Sequence, residues 1–272
     1  MRIATFNVNG IRAAERRGFP AWLAARTPDV LAVQEMRCPV GEVPDVFGGY
    51  HLVHDAGTIP GRNGVAIASR TAPSAVRLGF GSKEFDREGR YLEVDLDPAD
   101  GPRLRVASVY VPKGGTPYED EASLAKMQRK FRFLESFSRH LTRSRREAGR
   151  EGREFVVMGD WNIAPTELDI RNWRSNRRSE GFLPEEREWI AGVQSPRTLV
   201  DVVRRHHGEV EGPYSWWSWR GKAFDNDAGW RIDYQLATPG LAGAASVAGT
   251  DRDPAYDTRI SDHAPVVVDY QL

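Results

Sequence analysis

The sequence has one cysteine, no excess of either charge and no long apolar run. Cys38 finds no second cysteine, so no internal disulfide can form, which fits a reducing compartment. Lys and Arg total 38, as do Asp and Glu, for a formal net charge of +0. A generally basic polyanion-binding coat is thereby excluded, and any grip on nucleic acid has to come from local patches. No apolar stretch approaches the ~20 residues that a membrane helix needs. Met1 leads straight into an apolar strand-like run, with no basic segment before a long apolar one, so no secretory leader is expected. The clustered Cys and His that zinc prefers are missing.

What is present is an ordinary globular composition, 40% hydrophobic and 28% charged over 272 residues. Low-complexity segments, short repeats and linkers are absent, so residues 1–272 read as one domain. Apolar runs predict buried strands at Arg2–Phe6, Val30–Val33, Gly64–Ser69, Tyr91–Asp95, Leu104–Val111, Phe155–Met158, Ile232–Ala237 and Pro265–Tyr270. Tyr91–Leu96 and Val266–Tyr270 suggest alternating, half-buried faces. Leu124, Met127, Phe131, Leu134, Phe137 and Leu141 recur every three or four residues and predict a helix over Ala122–Arg146. Acids precede it and Arg143, Arg145 and Arg146 close it, as the helix dipole favours. Further helices are expected at Arg16–Arg26, stopped by Pro28, and at Pro184–Ala191. Many strands with few helices argue for an α+β class, two mixed sheets face to face with helices outside.

One pattern recurs: an apolar strand ends and a polar residue follows at once. Phe6 leads to Asn7, Val33 to Gln34-Glu35, Val109 to Tyr110, and Met158 to Gly159-Asp160-Trp161-Asn162. Ser261-Asp262-His263 precedes the last strand. Strand ends are rigid and share one sheet edge, so residues far apart in sequence can converge there. Their Asn, Glu and Asp oxygens are hard donors that suit Mg²⁺ or Mn²⁺. Singly, each has an ordinary reading: Asp160 as a turn after glycine, Asn7 as part of a turn, Tyr110 as packing. The constellation is the specific signal.

These motifs resemble the exonuclease III type of apurinic/apyrimidinic DNA endonucleases, within the endonuclease/exonuclease/phosphatase superfamily. The resemblance rests on Phe6–Arg12, Val33-Gln34-Glu35, Glu88–Tyr91, Tyr110-Val111-Pro112, Gly159–Pro165, Leu168-Asp169-Ile170, Gly181–Arg187, Gly229–Tyr234 and Ser261–Pro265, in the family's order across almost the whole chain. It implies a four-layer αββα sandwich of two mixed β-sheets flanked by helices. It implies Mg²⁺, replaceable by Mn²⁺, with Glu35 as main ligand, Asn7 and Asp262 nearby, and Asp160, Asn162 and His263 within reach. Tyr110, Asp160, Asn162 and the pair Asp233–His263 are the implied catalytic set around a scissile phosphate. Asp160 or a tyrosinate is the base, and an activating lysine falls at Lys130 or Lys126. Lys113 stands where the family commonly has Gln or Asn, and Gly114–Glu121 has no evident counterpart.

Trp216, Trp217 and Trp219 crowd one polar segment with Trp230 beyond, which reads as a ligand surface or a small satellite core. The resemblance assigns Trp216, Trp230 and Ile232 to an apolar pocket for a flipped abasic sugar. Arg171–Arg178 holds four arginines in eight residues and reads as a DNA-facing loop, with Trp173, Arg174 and Arg177 as contacts and Arg90 and Lys113 beside them. The implied activity is nicking of double-stranded DNA 5′ to abasic sites, with removal of 3′ blocks or nucleotides. A predominantly 3′–5′ exonuclease is the alternative. A non-catalytic nucleic-acid binder is disfavoured, because binding alone has no need of buried unpaired carboxylates. A monomer in the bacterial cytoplasm, working on nucleoid DNA, is expected.

Overall fold

The computed structural model describes residues 1–272. The chain opens with β1 (Arg2–Asn7), α1 (Ile11–Arg16), α2 (Phe19–Arg26), β2 (Val30–Gln34), β3 (His51–Asp55) and β4 (Val65–Ser69). It continues through β5 (Pro73–Leu78), β6 (Tyr91–Leu96), β7 (Leu104–Tyr110), α3 (Glu121–Arg150) and β8 (Glu154–Asp160). The last part holds α4 (Trp173–Asn176), α5 (Pro184–Val193), β9 (Val200–Asp201), α6 (Val202–His207), β10 (Asp233–Ala237), α7 (Pro239–Gly243), β11 (Ala245–Thr250) and β12 (Val266–Tyr270).

Two six-stranded sheets result, ordered β11-β12-β1-β2-β4-β3 and β5-β6-β7-β8-β10-β9. Each has one parallel pair at its centre, β1–β2 and β7–β8, bridged by helices, and antiparallel strands elsewhere. Ile3, Val30, Ala32 and Ile67 of the first sheet pack against Val94, Val106, Val156 and Met158 of the second. The outer face of the first sheet is covered by α1 and α2 through Phe6, Ile11, Phe19 and Leu23. The outer face of the second carries Phe133, Phe137 and Leu141 of α3. This is the expected αββα sandwich.

A thin polar seam crosses the apolar interior. Gln34 Nε2 in β2 donates to Ser108 Oγ in β7 at 2.9 Å, and Thr5 Oγ1 donates to Gln34 Oε1 at 3.1 Å. Gln235 in β10 donates to the Ile3 carbonyl at 2.9 Å and accepts from Tyr270 OH at 3.0 Å. Each is directional, so the seam fixes how one sheet sits on the other.

Several sequence expectations need correction. The helix expected at Arg16–Arg26 starts later, as α2 from Phe19, while Arg16 ends the separate helix α1; Gly18, at φ 106, breaks the chain direction between them. α3 runs beyond Arg146 to Arg150, with Asp120 capping its start by accepting from the Ser123 amide at 2.6 Å. Leu124 is 41% exposed, because the buried face passes through Ser123, Met127 and Lys130 instead. Tyr91–Leu96 is buried on both faces, between the second sheet's inner core and the α3 layer. Val266–Tyr270 does alternate. Arg171–Arg178 contains the short helix α4 rather than a loop alone.

Candidate active site

Asn7, Glu35, Tyr110 and Asp160 close or follow the four central parallel strands, and they meet. In the second sheet Asp160 pairs with Tyr110 on one side and with Asp233 on the other. The Asn7 amide reaches across from the first sheet, donating at 2.9 Å to Asp160 Oδ2 and at 2.9 Å to Glu35 Oε1. Gly159 permits the close pairing of β8 with β7 beside this site: at φ +144, a Cβ there would stand 2.0 Å from the Val109 carbonyl oxygen. Glu35 and Asn162 both adopt the left-handed region, at φ 53 and 50. Such backbone costs about 1–3 kcal/mol per residue and persists only where neighbours hold it. For Glu35 one holder is the Gly10 amide, which donates to its carbonyl at 2.8 Å.

Ligand atoms of Glu35, Asp160 and His263 all lie within 4.8 Å of one another, and all three residues are buried. Oδ2 of Asp233 lies 2.9 Å from His263 Nδ1, while His263 Nε2 is 3.8 Å from Asp160. Burial drives the Asp160 carboxyl well above the ordinary carboxylate range; His263 opposes this, and Asp233 and Glu35 add to it. For His263, burial works against the proton, yet the Asp233 and Asp160 carboxylates outweigh it and raise the imidazole well above its ordinary value. Burial, then Glu35 and Asp160, push the Tyr110 phenol up, so it keeps its proton at neutral pH and is a donor there.

Two carboxylates and one imidazole at this spacing can hold a divalent cation, and the oxygen-rich set fits a hard ion. The remaining expected ligands are engaged in bracing. Asn7 Oδ1 accepts from the Asn9 amide at 3.0 Å. Asp262 accepts from Asn9 Nδ2 at 2.8 Å and from Trp216 Nε1 at 3.1 Å. Asn162 Nδ2 donates to the Val111 carbonyl at 3.0 Å and to Asp160 at 3.2 Å.

These residues floor a cleft of about 570 Å³. Lys113, Trp216, Trp230 and Ile232 line it. The Trp216 and Trp230 backbones bond to each other in both directions at 2.9 Å, and their rings meet edge-on at 6.1 Å. Arg90, Trp173, Arg174 and Arg177 are not brought to the lining. Arg90 donates to Glu88 and to the Tyr110 carbonyl, with its guanidinium over the Tyr110 ring. Trp173 packs beside Ala164, Ile170, Phe182 and Ile232, and Arg174 lies 4.3 Å over its ring. Trp217 belongs to a satellite core with Tyr214, Phe224 and Ala264. The tryptophan cluster is thus divided between surface and core.

Sequence reasoning missed three contributors. Ser215, fully buried, donates to Asp233 Oδ2 at 2.6 Å. Arg37 pairs with Glu35. Gly181 lines the cleft where a Cβ would come within 3.3 Å of the Trp230 ring. Arg37 and Gly181 lay inside or next to quoted motifs, whereas nothing in the sequence marks Ser215.

Comparison with known proteins places this geometry. Exodeoxyribonuclease III of Haemophilus influenzae is 30% identical over 280 residues, covering 100% of both chains. An AP endonuclease structure from Archaeoglobus fulgidus is 31% identical with a TM-score of 0.85, covering 100% of both chains. A 3′-5′ exonuclease structure from Neisseria meningitidis is 26% identical with a TM-score of 0.83, again over 100% of both. Residues 4–263 match the model of the endonuclease/exonuclease/phosphatase family. The chain belongs to that family.

Proposed function

We propose that this chain is a Mg²⁺-dependent DNA repair phosphodiesterase that cleaves 5′ to abasic sites and removes 3′ blocks or nucleotides. The observation that carries the reading is the buried Glu35–Asp160–His263 group at the floor of a cleft walled by Trp216, Trp230 and Ile232. Hydrolysis of a phosphodiester needs an activated water, charge stabilisation on the phosphoryl oxygens and a stabilised leaving alkoxide. Asp160 accepts the proton of the water, its raised pKa making it a stronger base than an ordinary carboxylate. Asn162 holds that carboxylate through its backbone amide, 2.9 Å from Oδ1. His263 donates to one phosphoryl oxygen, oriented by Asp233 through Nδ1. Tyr110 donates to another. Glu35 would hold Mg²⁺ or Mn²⁺, and such an ion would supply charge neutralisation at the phosphate and the leaving 3′ oxygen.

The aromatic wall suits an extruded sugar that has lost its base, since flipping costs least where nothing is stacked or paired. Lys113 in the cleft lining meets phosphates, and Arg174 and Arg177, beside the lining residues Asn172 and Asn176, add further phosphate contacts. Residues 1–272 act as one catalytic unit, as a monomer, in the bacterial cytoplasm where the DNA lies. No helix of the chain is long and apolar enough to cross a membrane.

The test is a side-by-side assay on three duplexes: one internal abasic site, a recessed 3′ end, and a 3′-phosphate end. Cleavage of the first in Mg²⁺, lost on exhaustive chelation and restored by Mg²⁺ or Mn²⁺, is the expected result. Inactivity on all three would sink the reading. Activity confined to the second would leave a 3′–5′ exonuclease.

A further inference from the structure

Lys130 is a fully buried lysine, and its ammonium group is shared among three acceptors. Nζ donates to the Asn162 carbonyl at 2.8 Å, to the Lys113 carbonyl at 3.1 Å, and to Glu186, whose side chain is also fully buried. The other Glu186 oxygen accepts from the Leu183 amide at 3.0 Å. Lys130 sits on α3, away from the cleft lining, so it does not reach a phosphate there.

The acceptors decide what this group does. Asn162 follows β8 and Lys113 follows β7, so one ammonium joins the two chain segments that leave Asp160 and Tyr110. Asn162 stands at φ 50, where an L residue rests only if its peptide is held. With its carbonyl drawn down onto Lys130, its amide points back at Asp160 Oδ1 at 2.9 Å. The Lys113 side is shaped to the same end. A Cβ at Gly114 would press within 3.0 Å of the Lys130 and Met127 side chains, and one at Gly115 would fall 2.7 Å from the Ser123 carbonyl oxygen. Gly114 and Gly115, which open the unmatched stretch, therefore lie tight against α3 beside Lys130, Met127 and Ser123. A buried ion pair gives little net stability, so a stabilising role alone accounts poorly for a lysine in this place.

We propose that Lys130 is a positioning residue for hydrolysis: by holding the Asn162 and Lys113 carbonyls, it fixes the left-handed backbone of Asn162, whose amide on the preceding peptide aims Asp160. The inference rests on the reading of Asp160 as the proton acceptor. Glu186 gives Lys130 its counter-charge and caps the Leu183 amide without touching either carbonyl, so the two partners differ in their effect on turnover.

The test compares Lys130→Met/Glu186→Gln, which removes the ammonium without leaving a lone buried charge, with Glu186→Gln alone, in which Lys130 still donates to both carbonyls. Steady-state kinetics on an abasic duplex, affinity for that duplex in EDTA, and melting temperature are measured for each. The double variant should lose about 10–100-fold in kcat, with KM and duplex affinity within about twofold of wild type. Glu186→Gln should melt lower yet keep kcat within about threefold. Lys130→Gln, able to hold one carbonyl, should fall between, and it carries the comparison if the double variant does not fold. Equal losses of kcat in all variants, or none in those lacking the ammonium, would overturn the proposal. A wild-type chain that cleaves no DNA would overturn the functional reading instead.

Discussion

Oδ2 of Asp233 lies 2.9 Å from Nδ1 of His263, and Ser215 Oγ holds the same oxygen at 2.6 Å. The hydroxyl fixes the carboxylate, and the carboxylate fixes the ring so that Nε2 faces Asp160. Asp233→Asn presents a neutral amide that can turn its NH₂ toward the ring and lose the imidazolium. Its kcat on an abasic duplex should fall about 10²–10⁴-fold. Single-turnover kinetics check this, and a loss under tenfold would remove Asp233 from the mechanism.

Asp160→Asn keeps the shape of the site and removes its proton acceptor. Nicking of an abasic duplex should fall by roughly 10³-fold or more while the duplex still binds, since the uncharged amide no longer repels phosphate. Filter binding beside a nicking assay separates the two. Near wild-type cleavage would contradict the role given to this carboxylate.

Trp230 forms the pocket wall with Trp216, edge to face. Trp230→Ala opens the wall, so abasic-site cleavage should drop about 10–100-fold while digestion of an intact recessed 3′ end drops far less. The measured quantity is the ratio of the two kcat/KM values. An unchanged ratio would mean the aromatic wall does not select the substrate.

His54, in β3, has no hydrogen bond to either ring nitrogen. Burial lowers its pKa from 6.5 to about 4. The unfolded chain therefore takes up a proton near pH 6.5 that the folded ring refuses until about 4, and stability falls as pH drops through that window. Allowing for partial exposure, the loss is about 1–2 kcal/mol. Urea unfolding of His54→Leu at about pH 7.5 and 4.5 should show an acid loss smaller than wild type by that amount. Parallel acid dependence in the two proteins would refute it.

Sequence reading located the residues that converge at the candidate site better than those around them, for a physical reason. Asn7, Glu35, Tyr110 and Asp160 each follow a run of apolar residues, and such runs form central strands whose ends need no partner to be placed. Strands such as His51–Asp55 and Ala245–Thr250 went unread, because they are edge strands whose mixed polarity resembles loop. Ser215 was invisible for another reason: its role comes from meeting Asp233 across the fold. Arg90 was expected beside the DNA-facing loop, and a charge in sequence carries no sign of the ring it covers, here Tyr110. Lys130 shows the same limit, as a lysine on a helix whose Glu186 partner arrives from α5.

The hydrogen-bonded seam from Gln34 to Ser108 joins β2 to β7. Glu35 directly follows Gln34, and Tyr110 stands two residues after Ser108, so half of the reactive centre belongs to each layer. Neither layer alone assembles a reactive centre, however well its own strands pair. Turnover is therefore a gauge of alignment between layers: a slip of one pleat would leave the secondary structure intact and silence the enzyme.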